Sequence, residues 1–200
     1  MSADWGIEFF DRQFRRQVGD KTLGLNPFEQ AALPHLRGHV LDYGCGLGQL
    51  AIAAARAGCS VVALDASETA VEHLRQAAAA QNLKIDVRRA DLRHHTLHED
   101  FDSIVSIGLL MFFDCATAQR ALADLKNHLR PGGTMVINVL VEGTTYMDMF
   151  DEASFCLFAR DALPASFADW ELMSSQLSDF PAPGGLNKSF CTVVARKPVA

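Results

Sequence analysis

Short apolar runs alternate with longer stretches of helical periodicity over most of the chain. The apolar runs are rich in Val, Ile and Leu, and they predict buried strands over residues 39–43, 60–65, 84–90, 102–108 and 133–141. The stretches between them predict helices over 48–57, 67–80 and 115–129, with Ser67 and Asp114 as N-caps of the last two. This alternation predicts βαβ units, and therefore an α/β fold with a doubly wound, mostly parallel sheet between two helical layers.

The two ends of the chain have different patterns. Towards the C-terminus, "DWELMSSQLSD" and "KSFCTVVARK" predict two strands, and the turn-forming "FPAPGGLN" separates them. We expect these strands to form a hairpin, and hence an antiparallel edge on the parallel sheet. Towards the N-terminus, residues 5–16 predict an amphipathic helix with Trp5, Phe9, Phe10 and Phe14 at helical spacing. That helix either packs against the core or covers a site.

Length and charge limit the partners that the chain can have. A chain of 200 residues suits one domain, and we expect a single domain over 1–200 with a helical segment over 1–36 and the α/β core over 37–200. The 18 Lys and Arg against 24 Asp and Glu give a formal charge of -6, so the chain lacks the general positive field that nucleic acid or an anionic membrane would need. The sequence shows neither a secretory signal pattern nor a membrane-spanning run. We expect a cytoplasmic monomer or homodimer.

The cysteines and histidines do not predict a metal centre. The five cysteines are odd in number and have no paired short spacing, so we expect reduced, mostly packed thiols. His94, His95 and His98 lie in a polar loop without a clustered acid or cysteine partner, and solvated side chains are the expectation there.

The stretch "HVLDYGCGLGQLAIAAARAG" places a glycine-rich turn between the first predicted strand and the first helix of the core. In an open parallel sheet, ligands bind at such strand ends, and Gly44, Gly46 and Gly48 let a ligand approach the backbone closely. Their spacing lacks the wider final gap of the dinucleotide fingerprint, and no Gly-Lys-Ser/Thr follows to hold phosphates. Asp42 would repel a pyrophosphate but attract an ammonium group.

Two further acids follow the next two predicted strands. Asp65 ends "VVALD", and its separation of about 20 residues from the glycine turn suits a carboxylate that accepts both hydroxyls of a ribose. Asp91 follows the third strand, where it could accept from an adenine amino group while Leu92 packs on the ring. The predicted ligand has adenine, ribose and an amino group but no phosphate. S-adenosylmethionine fits that description.

These segments resemble the motifs of the class I S-adenosylmethionine-dependent methyltransferases. The resemblance rests on "VLDYGCGLGQLAIAAARAG", "VVALDAS", "ADLRH", "FDSIVSIGLLMFF" and "LRPGGTMVINV", in register from about residue 38 onwards. It implies a Rossmann-like, three-layer αβα fold whose seven strands have the order 3-2-1-4-5-7-6, with strand 7 antiparallel. It also implies a set of cofactor-binding residues: Asp42, Gly44, Cys45, Gly46, Gly48, Asp65, Ala66, Asp91, Leu92, Ser106 and Ile107.

The acceptor of the methyl group is less defined by the sequence. The segment after the fourth strand, "SIGLLMFFD", lacks the Asn/Asp-Pro-Pro-Tyr/Phe pattern of transfer to amino groups of bases or glutamine, and it offers an apolar wall instead. No residue stands out as a general base, so no catalytic residue is assigned. An anionic or strongly nucleophilic acceptor would need none, because alignment and desolvation can supply most of the rate effect. The residues we expect to contact the acceptor are Phe10, Met111, Phe112, Tyr146 and Arg160.

Within the family, the chain resembles the small tellurite-resistance methyltransferases of the TehB type. The segments "GLLMFFD", "SFCLFARDALPASFADWELMSSQL" and "SFCTVVARK" carry this resemblance. It implies transfer of a methyl group to tellurite or a related chalcogen species. However, the His-Arg pair of those proteins is missing, since Ser178 and Asp179 stand near its expected place. The alternatives are a methyltransferase for a carboxylate, thiol or amine metabolite, and a non-catalytic S-adenosylmethionine-binding module.

Overall fold

The computed structural model describes residues 5–20, 23–151 and 154–199, and a seven-stranded sheet runs through its centre. The sheet has the order β3-β2-β1-β4-β5-β7-β6, in which β7 is antiparallel to both of its neighbours and the other pairings are parallel. The predicted order and the antiparallel seventh strand are therefore confirmed. The strands are β1 His39–Tyr43, β2 Ser60–Asp65, β3 Ile85–Arg89, β4 Phe101–Ile107, β5 Leu129–Leu140, β6 Glu171–Ala182 and β7 Leu186–Arg196.

Helices cover both faces of this sheet. They are α1 Trp5–Asp20, α2 Pro27–Ala32, α3 Gln49–Arg56, α4 Glu68–Ala80, α5 Cys115–Asn127 and the short α6 Ala162–Ala165. Because side chains alternate along a strand, Val40 of β1 packs into the core beneath α3 and α4, whereas Leu41 packs into the core beneath α5. The two cores make the three-layer αβα arrangement that the sequence predicts.

Most predicted boundaries agree with the structure to within a residue or two. The side chains of Ser67 and Asp114 accept the amides of Ala70 and Thr117, so both predicted N-caps are confirmed. The helix expected over 115–129 ends at Asn127 instead, because Leu129 already pairs with Phe101 of β4. Pairing with the neighbouring strand thus overrides the helical pattern of the last turn.

α1 lies across the carboxyl end of the sheet and is anchored to the start of α4. The Asp11 carboxylate accepts hydrogen bonds from Ser67 Oγ at 2.6 Å and from the Thr69 amide at 3.1 Å. Arg15 pairs with the same carboxylate and donates to Thr69 Oγ1. Of the two alternatives left open for this helix, its position corresponds to a cover over the strand ends.

The cysteine expectation needs one correction. Cys115 and Cys156 form a disulfide that joins the start of α5 to the segment after β5, whereas Cys45, Cys59 and Cys191 are free and buried. The sequence spacing of 41 residues gives no sign of this pair, and only the fold brings the two Cα atoms to 4.8 Å. Among the described residues no cluster could hold a metal ion. None of the described helices is both long and apolar enough to cross a membrane.

Gly48 provides a test of the packing at the glycine turn. Its φ is +75°, and a Cβ there would lie 2.4–2.8 Å from side-chain carbons of the buried Leu74. Gly58 also has a positive φ, of +97°, but no atom lies within 4 Å of its Cβ position. Because backbone strain alone costs about 1–2 kcal/mol and overpacking adds about 1–3 kcal/mol, we expect Gly48→Ala to lower the free energy of unfolding by about 2–5 kcal/mol. Gly58→Ala should lower it by about 1–2 kcal/mol.

Urea denaturation of both variants measures the difference. Equal losses would show that Leu74 yields without cost and would contradict the packing argument.

Candidate active site

A cavity of about 700 Å³ opens at the carboxyl ends of β1, β2 and β4, beneath α1. Every residue predicted to bind the cofactor lines it except Ser106. Ser106 is 0% exposed, and within the described part of the chain its hydroxyl has no hydrogen-bond partner. Of the residues predicted to contact the acceptor, Phe10 and Phe112 line the cavity, whereas Met111, Tyr146 and Arg160 do not.

The glycine turn forms the floor of the cavity and is tied to β2. The amides of Gly44 and Cys45 both donate to the Leu64 carbonyl, at 2.9 and 3.0 Å. A Cβ at Gly44 would lie 2.8 Å from the side chain of Leu109, and one at Gly46 would lie 3.2 Å from the Phe14 ring. Both glycines have positive φ angles, so a side chain at either position would be strained and crowded. The turn therefore keeps its backbone open to the cavity.

Asp65 is held at the end of β2 by two backbone amides. Gly46 N donates to Oδ2 and Ser67 N donates to Oδ1, each at 2.8 Å. Burial raises the pKa of this carboxyl, and the amide hydrogen bonds oppose that effect. Each carboxylate oxygen can accept a second hydrogen bond. Asp65 thus presents two fixed acceptors, which matches what the two hydroxyls of a ribose require.

Asp42 is a buried acid with an unsatisfied oxygen. It is 5% exposed, and its Oδ2 has no hydrogen-bond partner among the described residues. Burial raises its pKa to about 8, and the nearby carboxylates of Glu29 and Asp65 add to that shift. An orphaned buried acceptor costs free energy unless a ligand satisfies it. Its place in the cavity wall suits a cationic group on a ligand.

Asp91 also lines the cavity, but its carboxylate already has partners. Arg93 donates to both of its oxygens at 2.8 Å, and His94 Nδ1 lies 3.1 Å from Oδ2. The hydrogen bond from Arg93 is the largest cause that holds the pKa of Asp91 at about 2. Next to it, the Leu92 carbonyl accepts from the Tyr43 hydroxyl at 2.8 Å. This wall is fixed, and the role of Asp91 towards adenine stays a prediction.

Sequence reasoning missed several lining residues, of which Glu29 is the most consequential. Glu29 lies at the third position of α2, where its carboxylate accepts the Asn26 amide and the Asn26 side chain caps the helix. The pattern "NPFE" indicates this capping box and the start of a helix. It gives no sign that the helix end faces the same cavity as Asp42. The other residues that were missed include Gln13, Gln17, Asn26, Arg93, His94, Asp114 and Asp151.

Part of the cavity wall is aromatic. Phe10 of α1 meets Phe112 edge to face, with ring centroids 4.7 Å apart, and Phe112 lies 5.0 Å from Phe150. Met111 is buried in the cluster behind them. Tyr146 lies under Lys188, and Arg160 lies next to the Glu142 carbonyl, so both lie outside the cavity wall.

Comparison with known proteins agrees with this geometry. The family model described as a methyltransferase domain matches residues 40–133. Hemagglutinin 1 of Eikenella corrodens is 31% identical over 165 residues, which cover 79% of this chain and 54% of that protein. The probable S-adenosyl-L-methionine-dependent methyltransferase TehB of Haemophilus influenzae is 27% identical over 165 residues, covering 79% of this chain and 57% of that protein. The chain thus spans little more than half the length of these curated relatives.

The crystal structure of TehB from Haemophilus influenzae has the same fold. It superposes with a TM-score of 0.76 at 22% sequence identity, over 90% of this chain and 65% of that chain. The matched segment begins in β1 and includes the glycine turn, Asp65 and Asp91. Together, the methyltransferase-domain match and the similarity to TehB in sequence and fold support a TehB-like class I S-adenosylmethionine-dependent methyltransferase.

Proposed function

We propose that this protein transfers a methyl group from S-adenosylmethionine to a small-molecule acceptor. The observation that carries the proposal is the orphaned, buried oxygen of Asp42 in the same cavity as the fixed carboxylate of Asp65. One acid suits an ammonium group and the other suits two hydroxyls. Neither arrangement suits a phosphate, because the acids would repel it.

The residues of the cavity fit the parts of this cofactor. Asp42 and the glycine turn would hold the methionyl part, Asp65 the ribose, and Leu92 with Asp91 the adenine. When bound, the cofactor supplies a methyl group on a positively charged sulfur. The residues we propose for this site are Asp42, Gly44, Cys45, Gly46, Gly48, Asp65, Ala66, Asp91, Leu92 and Ile107, with buried Ser106 behind them.

The chain itself contributes alignment and the exclusion of water. Phe10 and Phe112 close one side of the cavity with apolar rings, and α1 covers it from above. Bringing an acceptor into such a wall removes its hydration shell and fixes its approach, which can supply most of the rate effect of a displacement. The acceptor-contact residues that line the cavity are Phe10 and Phe112.

For the acceptor, we propose tellurite or a related chalcogen species as the leading named class. Its support is the similarity to the protein named TehB over most of this chain. Because the His-Arg pair is missing, we expect this chain to contact such an acceptor through residues other than those of the TehB-type proteins. Ser178 and Asp179 stand near the expected place of the pair, on the edge strand β6, and Asp179 accepts a hydrogen bond from Ser189 Oγ. Carboxylate, thiol and amine metabolites are the alternatives, together with a non-catalytic cofactor-binding module.

Asp65→Ala tests whether cofactor binding needs the Asp65 carboxylate, both as the acceptor for the ribose and as the group that fixes the glycine turn. The variant loses two charge-assisted hydrogen bonds, each of which contributes about 1.5–3 kcal/mol. We therefore expect at least a 100-fold weaker affinity for S-adenosylhomocysteine. Isothermal titration calorimetry measures it, and thermal unfolding verifies that the variant is folded. Asp86→Ala is the matched control, because Asp86 is an exposed acid on β3 outside the cavity. Unchanged affinity in Asp65→Ala would contradict the proposed role.

Product formation tests catalysis and the acceptor class together. Purified protein is incubated with S-adenosylmethionine and, in turn, tellurite, selenite, thiols, carboxylates and amines, and released S-adenosylhomocysteine is quantified. We expect release above the acceptor-free rate with a chalcogen species, and Phe112→Ala should reduce it because the apolar wall opens to water. Cofactor binding without turnover on any acceptor would favour the non-catalytic module.

Asp42 gives the folded protein a characteristic pH dependence. Because the pKa of this carboxyl is about 8 in the folded protein, against 3.8 for an ordinary aspartate, the unfolded chain loses the proton first as pH rises. Folding stability therefore falls between about pH 4 and about pH 8. Asp42→Asn removes this titration, so we expect the variant to lose several kcal/mol less stability than the wild type across that range, because each pH unit of differential protonation contributes about 1.4 kcal/mol.

Denaturation at about pH 5 and about pH 8 measures how the folding stability of the wild type and of Asp42→Asn changes with pH. Asp86→Asn, at an exposed acid, is the control. Parallel slopes for the wild type and Asp42→Asn would show that Asp42 titrates normally.

A further inference from the structure

Two acidic side chains from different elements line the same cavity. Asp42 comes from β1 and Glu29 from α2. They are close enough for the charge of Glu29 to raise the pKa of Asp42. Glu29 is itself partly buried, and burial raises its pKa as well. Like charges placed together in a low-dielectric wall are costly, so a cationic group on a ligand would stabilise the ionised pair.

The basic residues of the cavity lining do not provide this relief. Among the described residues they are Arg93 and His94, and both of them contact Asp91, at the predicted adenine end. Among the described lining residues, therefore, no basic side chain lies beside Glu29 and Asp42. A positive charge on a ligand is the group that would complete this end of the site.

We propose that Glu29 is a second carboxylate which, together with Asp42, binds the ammonium group of the cofactor and makes binding specific for ligands that carry it. This inference rests on the proposed function and assigns a further residue to the same site. Glu29 is rigidly placed for such a role, because the Asn26 side chain accepts the amides of Phe28 and Glu29 while Glu29 Oε2 accepts the Asn26 amide at 2.8 Å.

The capping box explains why Glu29 is held in place, but it does not explain why the residue is charged. A glutamine at this position can accept the same backbone amide, and capping boxes use either residue. Glu29→Gln therefore keeps the cap and removes only the charge. The structural role and the proposed ligand role can be separated on this basis.

The experiment compares two ligands on the full chain by isothermal titration calorimetry. S-adenosylhomocysteine carries the ammonium group, whereas 5′-methylthioadenosine has the adenosine and the thioether but lacks the amino-acid part. We expect Glu29→Gln to weaken S-adenosylhomocysteine at least tenfold and to leave the affinity for 5′-methylthioadenosine unchanged. The thermal midpoint of the ligand-free variant should equal or exceed that of the wild type, because a buried repulsion is removed.

Glu171→Gln is the matched control, since Glu171 pairs with Arg196 at the far edge of the sheet and should leave both affinities unchanged. An unchanged S-adenosylhomocysteine affinity in Glu29→Gln overturns the proposal. An equal loss for both ligands also overturns it, because a structural defect would then be the cause. If the wild type binds neither ligand, the proposed function itself fails, which is a different outcome from a failure of the Glu29 role alone.

Discussion

The hydrogen bonds of the Asp65 carboxylate hold the candidate site together. One oxygen fixes the glycine turn through the Gly46 amide, and the other fixes the start of α4 through the Ser67 amide. Ser67 in turn donates to Asp11, so the cover helix α1 is attached to the same point. The end of β2, the turn after β1 and the two helices are therefore positioned by one side chain. A change at Asp65 would disturb the floor and the cover of the cavity together.

The second constraint is an excess of buried negative charge. Asp42, Glu29 and Asp65 lie near one another in or beside a wall with a low dielectric, and burial raises the pKa of each of these three carboxyls. Such an arrangement opposes folding, because the charged forms lose hydration without gaining a cation. It persists where a ligand supplies the missing positive charge. The buried acids thus lower the stability of the free protein but favour the binding of a cationic ligand, which is a common compromise in functional sites.

The alternation of strands and helices, the N-caps, the glycine turn and the three acids could be predicted from local patterns, whereas the strand order followed from the resemblance to the methyltransferase family. Apolar runs, cap residues and glycines affect only the few residues next to them in the chain, so the structure they produce can be predicted from the sequence directly. The role of Glu29 and the position of the N-terminal helix could not be predicted in the same way. "NPFE" indicates only a helix start, and whether that helix end faces Asp42 depends on how α2 packs against the sheet. Tyr146 and Arg160 were placed by analogy with the family, and the irregular segment after β5 turns them away from the cavity wall.

The sequence by itself determined the α/β architecture, the position of the glycine turn and the three acids at the strand ends, because each depends on residues that are neighbours along the chain. Only the tertiary structure decided which groups from distant parts of the chain come into contact. It joined Cys115 to Cys156, brought Ser67 to Asp11, and left the Oδ2 of Asp42 buried without a partner among the described residues. Burial and charge depend on distances between remote segments, and those distances exist only once the chain has folded.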